Sequence, residues 1–147
     1  MIAPALRPAR PTDAGSVAEI LSGWIDATPW VPRVHTRAED LSFAGMMIER
    51  GWVVLAETTD VDGFLARDGE RVHALYIRPE ARGRGLGARL LAEAKGAAPR
   101  LVLWTFAANV PAQRFYARHG FVETARTDGA NDEGLPDIQY RWERKAA

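Results

Sequence analysis

The run Leu75-Tyr-Ile-Arg-Pro-Glu-Ala-Arg-Gly-Arg-Gly-Leu-Gly87 decides how this chain is read. It opens as an apolar strand, breaks at Pro79, and then sets Gly83, Gly85 and Gly87 between arginines before a helical pattern begins. Glycines at such a junction let backbone N–H groups converge on an anion, and the helix N-terminus adds its positive dipole. Arg82 and Arg84, with Arg78 and Arg89 close in sequence, supply charge suited to several phosphates. The plainer alternative is a tight turn with solvated arginines. No G-x-x-x-x-G-K-[ST] is present, so a P-loop is excluded. Gly83-x-Gly85-x-x-Ala88 satisfies the loose dinucleotide-binding pattern, but two contexts oppose it. The segment Arg78 to Arg82 separates the strand end from the first glycine, and the next strand ends Trp104-Thr105-Phe106-Ala107-Ala108 without an acidic residue for a ribose.

Working outward, Arg71–Ile77 pairs with Val61–Arg67 through a hairpin signalled by Asp68-Gly69, and Trp52–Glu57 precedes them. A helix from about Gly85 carries the stripe Leu86, Leu90, Leu91, Ala94 and Ala98, and leads to a buried-type strand at Arg100–Phe106. Asn109 caps a further helix with Pro111 in its first turn and Gly120 past its end. Phe121–Arg126 and Asp137–Trp142 are the last strands, joined by the acidic loop Thr127 to Pro136. At the start, Ala5–Ala9 reads as a strand. Thr12 reads as an N-cap before a helix that buries Val17, Ile20, Leu21 and Trp24 and stops at Pro29 and Pro32. Thr36-Arg-Ala-Glu39 is a capping box leading into Leu41, Ala44, Met47 and Ile48, with Gly51 as terminator. The predicted order β-α-α-β-β-β-α-β-α-β-β gives an α/β (α+β) three-layer architecture. Its mixed central sheet has about six to seven strands, flanked by about four helices.

Composition narrows the function. The 147 residues suit a single domain over residues 1–147, and 47% hydrophobic with 26% charged residues is ordinary for a globule. Nineteen basic residues balance nineteen acidic ones, which argues against nucleic-acid or polybasic membrane partners. The absence of cysteine excludes disulfides, thiol nucleophiles and Cys-ligated zinc, and His35, His73 and His119 share no metal-ligand spacing. Met1 to Pro11 has no continuous apolar stretch, so no secretory signal is read and a cytoplasmic location is expected.

Residues 75–87 closely resemble motif A of the GNAT superfamily of acyl-CoA-dependent N-acyltransferases, whose [Q/R]-x-x-G-x-[G/A] falls on Arg82, Gly85 and Gly87. Asn109-Val-Pro-Ala-Gln-Arg-Phe-Tyr-Ala-Arg-His-Gly-Phe121 resembles the family's second signature, and Leu6-Arg-Pro-Ala-Arg-Pro-Thr-Asp13 its usual opening. The resemblance spans nearly the whole chain in the right order. It implies acetyl-CoA as co-substrate and no metal, with the backbone of Arg82, Gly83, Arg84, Gly85, Leu86, Gly87 and Ala88 around the pyrophosphate. It also implies that Leu75, Tyr76 and Ile77 pair with the pantetheine arm, that this strand splays from the next, and that an N–H near Tyr76 or Ile77 polarises the thioester. Asn109 falls where the family contacts the cofactor; it is equally well a helix cap.

Transfer to an amine needs a base for an ammonium with a pKa of about 10 and an acid for the leaving thiolate. Tyr116 falls at the family's frequent general-acid position, with a core role as the alternative. The strand glutamate common in the family is missing from Val72-His73-Ala74-Leu75, leaving His73, Glu57 or a water chain as the base. Trp24, Trp30 and the loop Ala27–His35 stand where the family walls its acceptor site. Asp132 and Glu133, with Asp128, can attract a cationic amine from the last loop. The resulting expectation is an N-acetyltransferase acting on a primary amine of a small molecule, peptide or protein, by direct transfer in a ternary complex. The family also makes a homodimer possible. A non-catalytic acyl-CoA sensor on the same fold is the alternative.

Overall fold

A computed structural model describes residues 3–145, so Met1 and Ile2 of the opening stretch, with Ala146 and Ala147, lie outside the described residues. The elements are β1 (Ala5–Pro8), α1 (Ala14–Ala27), α2 (Arg37–Glu49), β2 (Val53–Glu57), β3 (Val61–Asp68), β4 (Arg71–Ile77), α3 (Leu86–Ala97), β5 (Arg100–Phe106), α4 (Val110–Arg118), β6 (Val122–Thr127) and β7 (Asp137–Glu143). Short 3-10 turns at Pro11–Asp13 and Pro79–Ala81 lead into α1 and the glycine loop. The predicted element order, the mixed sheet and the three layers are all present.

The seven strands form one sheet in the order β1-β2-β3-β4-β5-β7-β6. Every neighbouring pair is antiparallel except β4 and β5, which are parallel and joined by the α3 crossover. On one face Leu86, Leu90, Leu91 and Ala94 of α3 pack with Leu65, Leu101, Leu103 and Ile138, and Tyr116 and Phe121 join them. On the other, Val17 of α1 and Ala44, Met47 and Ile48 of α2 pack with Leu55, Phe64, Ala66 and Ala74. Leu90 and Leu91 are fully buried, so truncating either to Ala would cost ~2–5 kcal/mol.

Two local expectations are corrected. Thr12 does not cap α1; it lies inside the 3-10 turn, because Asp13 is drawn inward instead. Asp13 accepts from the Arg10 N–H (2.7 Å) and from both terminal nitrogens of Arg7 (2.9 and 3.0 Å). Leu41 is 47% exposed rather than buried, since the apolar face of α2 runs through Ala44, Met47 and Ile48 and turns Leu41 outward. The capping box is as read: Thr36 Oγ1 accepts from the Glu39 N–H and Glu39 from the Thr36 N–H, at 3.1 and 3.0 Å.

One irregularity matters for the site. Ala66 pairs with Ala74 and Arg67 with Val72, so His73 is an extra residue in β4. Such a bulge reverses the alternation of side chains. Val72 packs on the α3 face, yet Ala74, an even number of residues on, packs on the α1–α2 face.

The Arg7 guanidinium holds the Asp13 carboxyl below the usual carboxylate range. A depressed folded-state pKa means the contact is fully present above pH ~4 and is lost as pH falls. Asp13→Asn should therefore lower stability by about 1–3 kcal/mol at pH 7 and flatten the acid limb of the stability profile, read from urea midpoints between pH 2 and pH 7.

Candidate active site

β4 and β5 meet at one register position, Arg71 opposite Val102, where Val102 N–H donates to the Glu70 carbonyl at 2.8 Å. Beyond that rung the strands diverge, and the space between them is a cleft. β5 gives its other edge to β7 along its whole length, from Arg100 opposite Glu143 to Phe106 opposite Asp137. β4 gives its other edge to β3. Arg78 N–H donates to the Asp62 carbonyl at 2.8 Å, which fixes the phase of that ladder. In an antiparallel pair bonded positions alternate, so Tyr76 and Ala74 are bonded to β3 while the N–H and C=O of Leu75 and Ile77 turn toward the cleft. Arg82 Nε donates to the Ile77 carbonyl at 3.1 Å, as that phase requires. The family expectation of a donor near Tyr76 or Ile77 is thereby narrowed: Tyr76 N–H is spent on β3, and Leu75 and Ile77 carry the free ones.

The glycine loop stands at the open end of β4. Gly83 and Gly85 have φ of +78° and +75°, a left-handed backbone that costs other residues ~1–2 kcal/mol. Gly85 is the N-cap of α3, and among the described residues no side chain caps the helix. The first N–H bonded within the turn is that of Arg89, to the Gly85 carbonyl at 3.1 Å, so those of Leu86, Gly87 and Ala88 have no intrahelical partner. Gly87 packs against Phe115, whose Cζ would lie 3.4 Å from an added Cβ. Arg82 and Arg84 are exposed, and Ala88 is half-buried. Arg78 is committed elsewhere, with Nε at 2.8 Å from the fully buried Asp62, and Arg89 donates to the Pro4 carbonyl.

Two cavities meet in the split. One, of about 230 Å³, is walled by Leu75, Thr105, Asn109, Ala112 and Tyr116 among others; the second, of about 740 Å³, lies on the α1–α2 face. Trp24, His73, Tyr76, Trp104, Phe106 and Glu133 line both, so the split is a passage through the sheet. Tyr116 is 8% exposed, and its hydroxyl has no protein partner among the described residues. Burial, with Tyr76 adding to it, raises that phenol beyond its usual range, so it stays protonated. Tyr76 is pushed up to about 12 by burial and by Glu133.

Residues 48–123 match the family described as acetyltransferase (GNAT) domain. The chain belongs to this family. The peptidyl-lysine N-acetyltransferase YjaB of Salmonella typhimurium is 35% identical over 85 residues, 58% of each chain. That of Escherichia coli is 33% identical over 102 residues, 69% of each. The chain thus spans 58% and 69% of the length of these curated relatives. Among solved structures, the apo form of E. coli YjaB superposes with a TM-score of 0.81 at 23% identity, covering 98% of this chain and 100% of the other. YncA of Salmonella typhimurium, solved with its cofactor acetyl-CoA, superposes with a TM-score of 0.74 at 20% identity, covering 99% and 96%.

Within this GNAT fold the structure gathers some expected residues and sets others apart. Tyr116, His73, Asn109, Leu75, Tyr76, Trp24 and Glu133 line the passage, and Asp132 lines the larger cavity. Glu57 does not reach it. Its carboxylate accepts from Arg7 Nε and Nη2 at 3.1 and 2.8 Å, and the same guanidinium holds it below the usual range. Trp30 lines neither cavity; it packs edge-on between Trp24 and Phe106, at 6.0 and 5.7 Å between centroids. Asn109 is a helix cap, its Oδ1 accepting from Ala112 N–H at 3.2 Å, which leaves Nδ2 for the cleft. Thr105, Trp104, Phe106 and Asp137 line the split without having been singled out from sequence. For Trp104, Thr105 and Phe106 the signal was positional, since they stand on β5 opposite Leu75–Ile77; Asp137 opens β7 as the cross-strand partner of Phe106. No group of His, Cys, Asp or Glu side chains able to hold a metal occurs among the described residues, nor a helix long and apolar enough to cross a membrane.

Histidine environments separate cleanly. His73 stacks on Trp52 at 4.7 Å with its Nε2 buried and unpaired, and burial, aided by Arg71, lowers its pKa. His35 lies 3.4 Å from Glu39 and 3.5 Å from Asp132, which raise its pKa. His119 is lowered by burial and by Lys95. An NMR titration of the imidazoles should place His35 above 6.5 and both His73 and His119 below it, with His73→Ala identifying its resonance.

Proposed function

We propose that this chain transfers the acetyl group of acetyl-CoA directly to a primary amine, and that the amine is the ε-amino group of a lysine presented by a peptide or protein. The observation that carries the reading is the split itself: unpaired strand amides, a capless helix N-terminus at one end, and a passage to the opposite face. The lysine acceptor is supported by the names of the YjaB relatives and by the second cavity. There Trp24, Tyr76, Trp104 and Phe106 can enclose a slender alkyl-ammonium beside Glu133.

In this reading the N–H groups of Leu86, Gly87 and Ala88, with Arg82, Gly83, Arg84 and Gly85, hold the pyrophosphate. Leu75 and Ile77 take the pantetheine arm as an added strand partner, and one of their N–H groups polarises the thioester carbonyl. Asp132 and Glu133 draw the substrate ammonium in. His73, neutral near pH 7 because burial and Arg71 lower its pKa, removes the proton. As the amine nitrogen bonds to the carbonyl carbon, the C–S bond breaks and Tyr116 donates its proton to the departing sulfur; the proton that the acylated nitrogen sheds returns to the Tyr116 oxygen and restores the phenol. No cysteine exists to carry an acetyl-enzyme through a thiol. Action in the cytoplasm as a single domain belongs to the same proposal.

The test is CoA release with acetyl-CoA and a lysine-containing peptide, against the same peptide with lysine replaced by arginine. Release confined to the lysine peptide, with the acetyl group mapped to Nζ, is the expected result; no release above the uncatalysed rate with any amine overturns the reading. Tyr116→Phe should lower kcat by ~10²–10⁴. Because the hydroxyl has no protein partner among the described residues, the melting temperature and acetyl-CoA affinity should stay at wild-type values. Undiminished turnover would remove Tyr116 from the acid role.

A further inference from the structure

Three buried side-chain polar atoms among the described residues lack a hydrogen-bond partner: His73 Nε2, Thr105 Oγ1 and Arg141 Nε. The first two belong to opposite walls of the split, His73 on β4 and Thr105 on β5. Thr105 is 8% exposed and stands in a strand otherwise given to apolar packing, with Leu101 and Leu103 on the same face and the buried Ile138 as its cross-strand partner. An unpaired buried hydroxyl is unfavourable, and valine fills the same volume without it. The fold alone therefore gives no reason for a threonine here.

Position supplies one. Counting from the rung at Arg71 opposite Val102, Thr105 lies level with Ala74 and Leu75 of β4, where the strands have parted. Strand alternation turns its side chain to the α3–α4 face, the face from which Asn109, Ala112 and Tyr116 line the same cavity. Leu75 across the gap offers a free N–H and C=O. On the β5–α4 side stand the Thr105 hydroxyl, the Asn109 Nδ2 and the Tyr116 hydroxyl, none of them partnered by protein among the described residues. A chain lying between these walls with amide groups along its length would satisfy both. Rotation of the threonine side chain among its staggered χ1 rotamers is the only freedom its hydroxyl has in meeting such a ligand.

We propose that Thr105 is a binding residue for the pantetheine arm of acetyl-CoA, its hydroxyl pairing with the arm's amide nearest the thioester. The assignment rests on the acetyl-CoA reading of the split. It goes beyond that reading in giving the β5 wall a polar role.

Calorimetry on Thr105→Val and Thr105→Ser with acetyl-CoA, CoA and adenosine 3′,5′-bisphosphate, which lacks the arm, tests it. The valine variant should bind acetyl-CoA and CoA about five- to twentyfold more weakly. It should bind the bisphosphate as wild type does, and melt without ligand at the wild-type temperature or above. Serine should restore affinity to within about twofold of wild type. Wild-type affinity for acetyl-CoA in the valine variant overturns the assignment. So does an equal loss for all three ligands with a lowered melting temperature, which would mark general damage. Failure of the unaltered protein to bind acetyl-CoA would instead overturn the acetyl-CoA reading, and the assignment with it.

Discussion

A sheet whose middle pair is joined at one rung has to be held together by something other than that pair. Here the constraint is met by α3. Its stripe Leu86, Leu90, Leu91 and Ala94 belongs to a core that also takes Ala56 of β2, Leu65 of β3, Leu101 and Leu103 of β5 and Ile138 of β7. One helix thus clamps both half-sheets from one side while their edges stay apart. On the opposite face α1 packs on β3 and β4, and the buried core there contains no β5 side chain among the described residues. The split itself stays open as a passage between the two faces, lined by residues common to both cavities. Two reactants can meet in it from opposite faces without competing for one entrance.

On the α1–α2 face, charge adds to the apolar packing of α1 and α2 in fixing the walls. Asp40 is 4% exposed on α2; it accepts from Ser22 of α1 and from Arg33 Nη1 at 2.9 Å, and Arg33 reaches on to Asp26 and to the His35 carbonyl. These contacts hold the segment between α1 and α2 against the helices. The segment then meets the loop before β7 through His35 and Asp132, a pair too exposed to contribute much to stability. At the other end of the site, Asp62 receives Arg78 and the Thr58 hydroxyl and ties the start of the glycine loop to β3. The α1–α2 segment and the start of the glycine loop are thus each tied down by a buried carboxylate.

The elements were legible in the sequence because their signals are local: a capping box at Thr36, Asn109 before Pro111, glycines at 83 and 85 where φ is positive. The second signature likewise brought Asn109 and Tyr116 to the split. Long-range pairing was not legible. Glu57 reads as a carboxylate at a strand end, and nothing nearby in sequence says that Arg7, fifty residues away, occupies it. Thr12 and Asp13 are both good cap residues, and the choice between them was made by the same arginine. Thr105 looks like an ordinary β-branched strand residue. Its interest comes from an unpaired oxygen, which only the packed structure displays.

The bulge at His73 bears on how this strand can change. Substituting residue 73 exchanges one side chain at the passage and leaves the backbone path alone. Deleting a residue between Val72 and Ala74 would regularise the ladder, and either Val72 or the run Ala74–Ile77 would then have to change face. Tyr76 would be carried toward α4 and Leu75 toward α1, and the free amides would be handed to β3. The length of β4 is thus far more restricted than its composition. A side chain of different chemistry can occupy the bulge while the backbone path of the cleft stays the same.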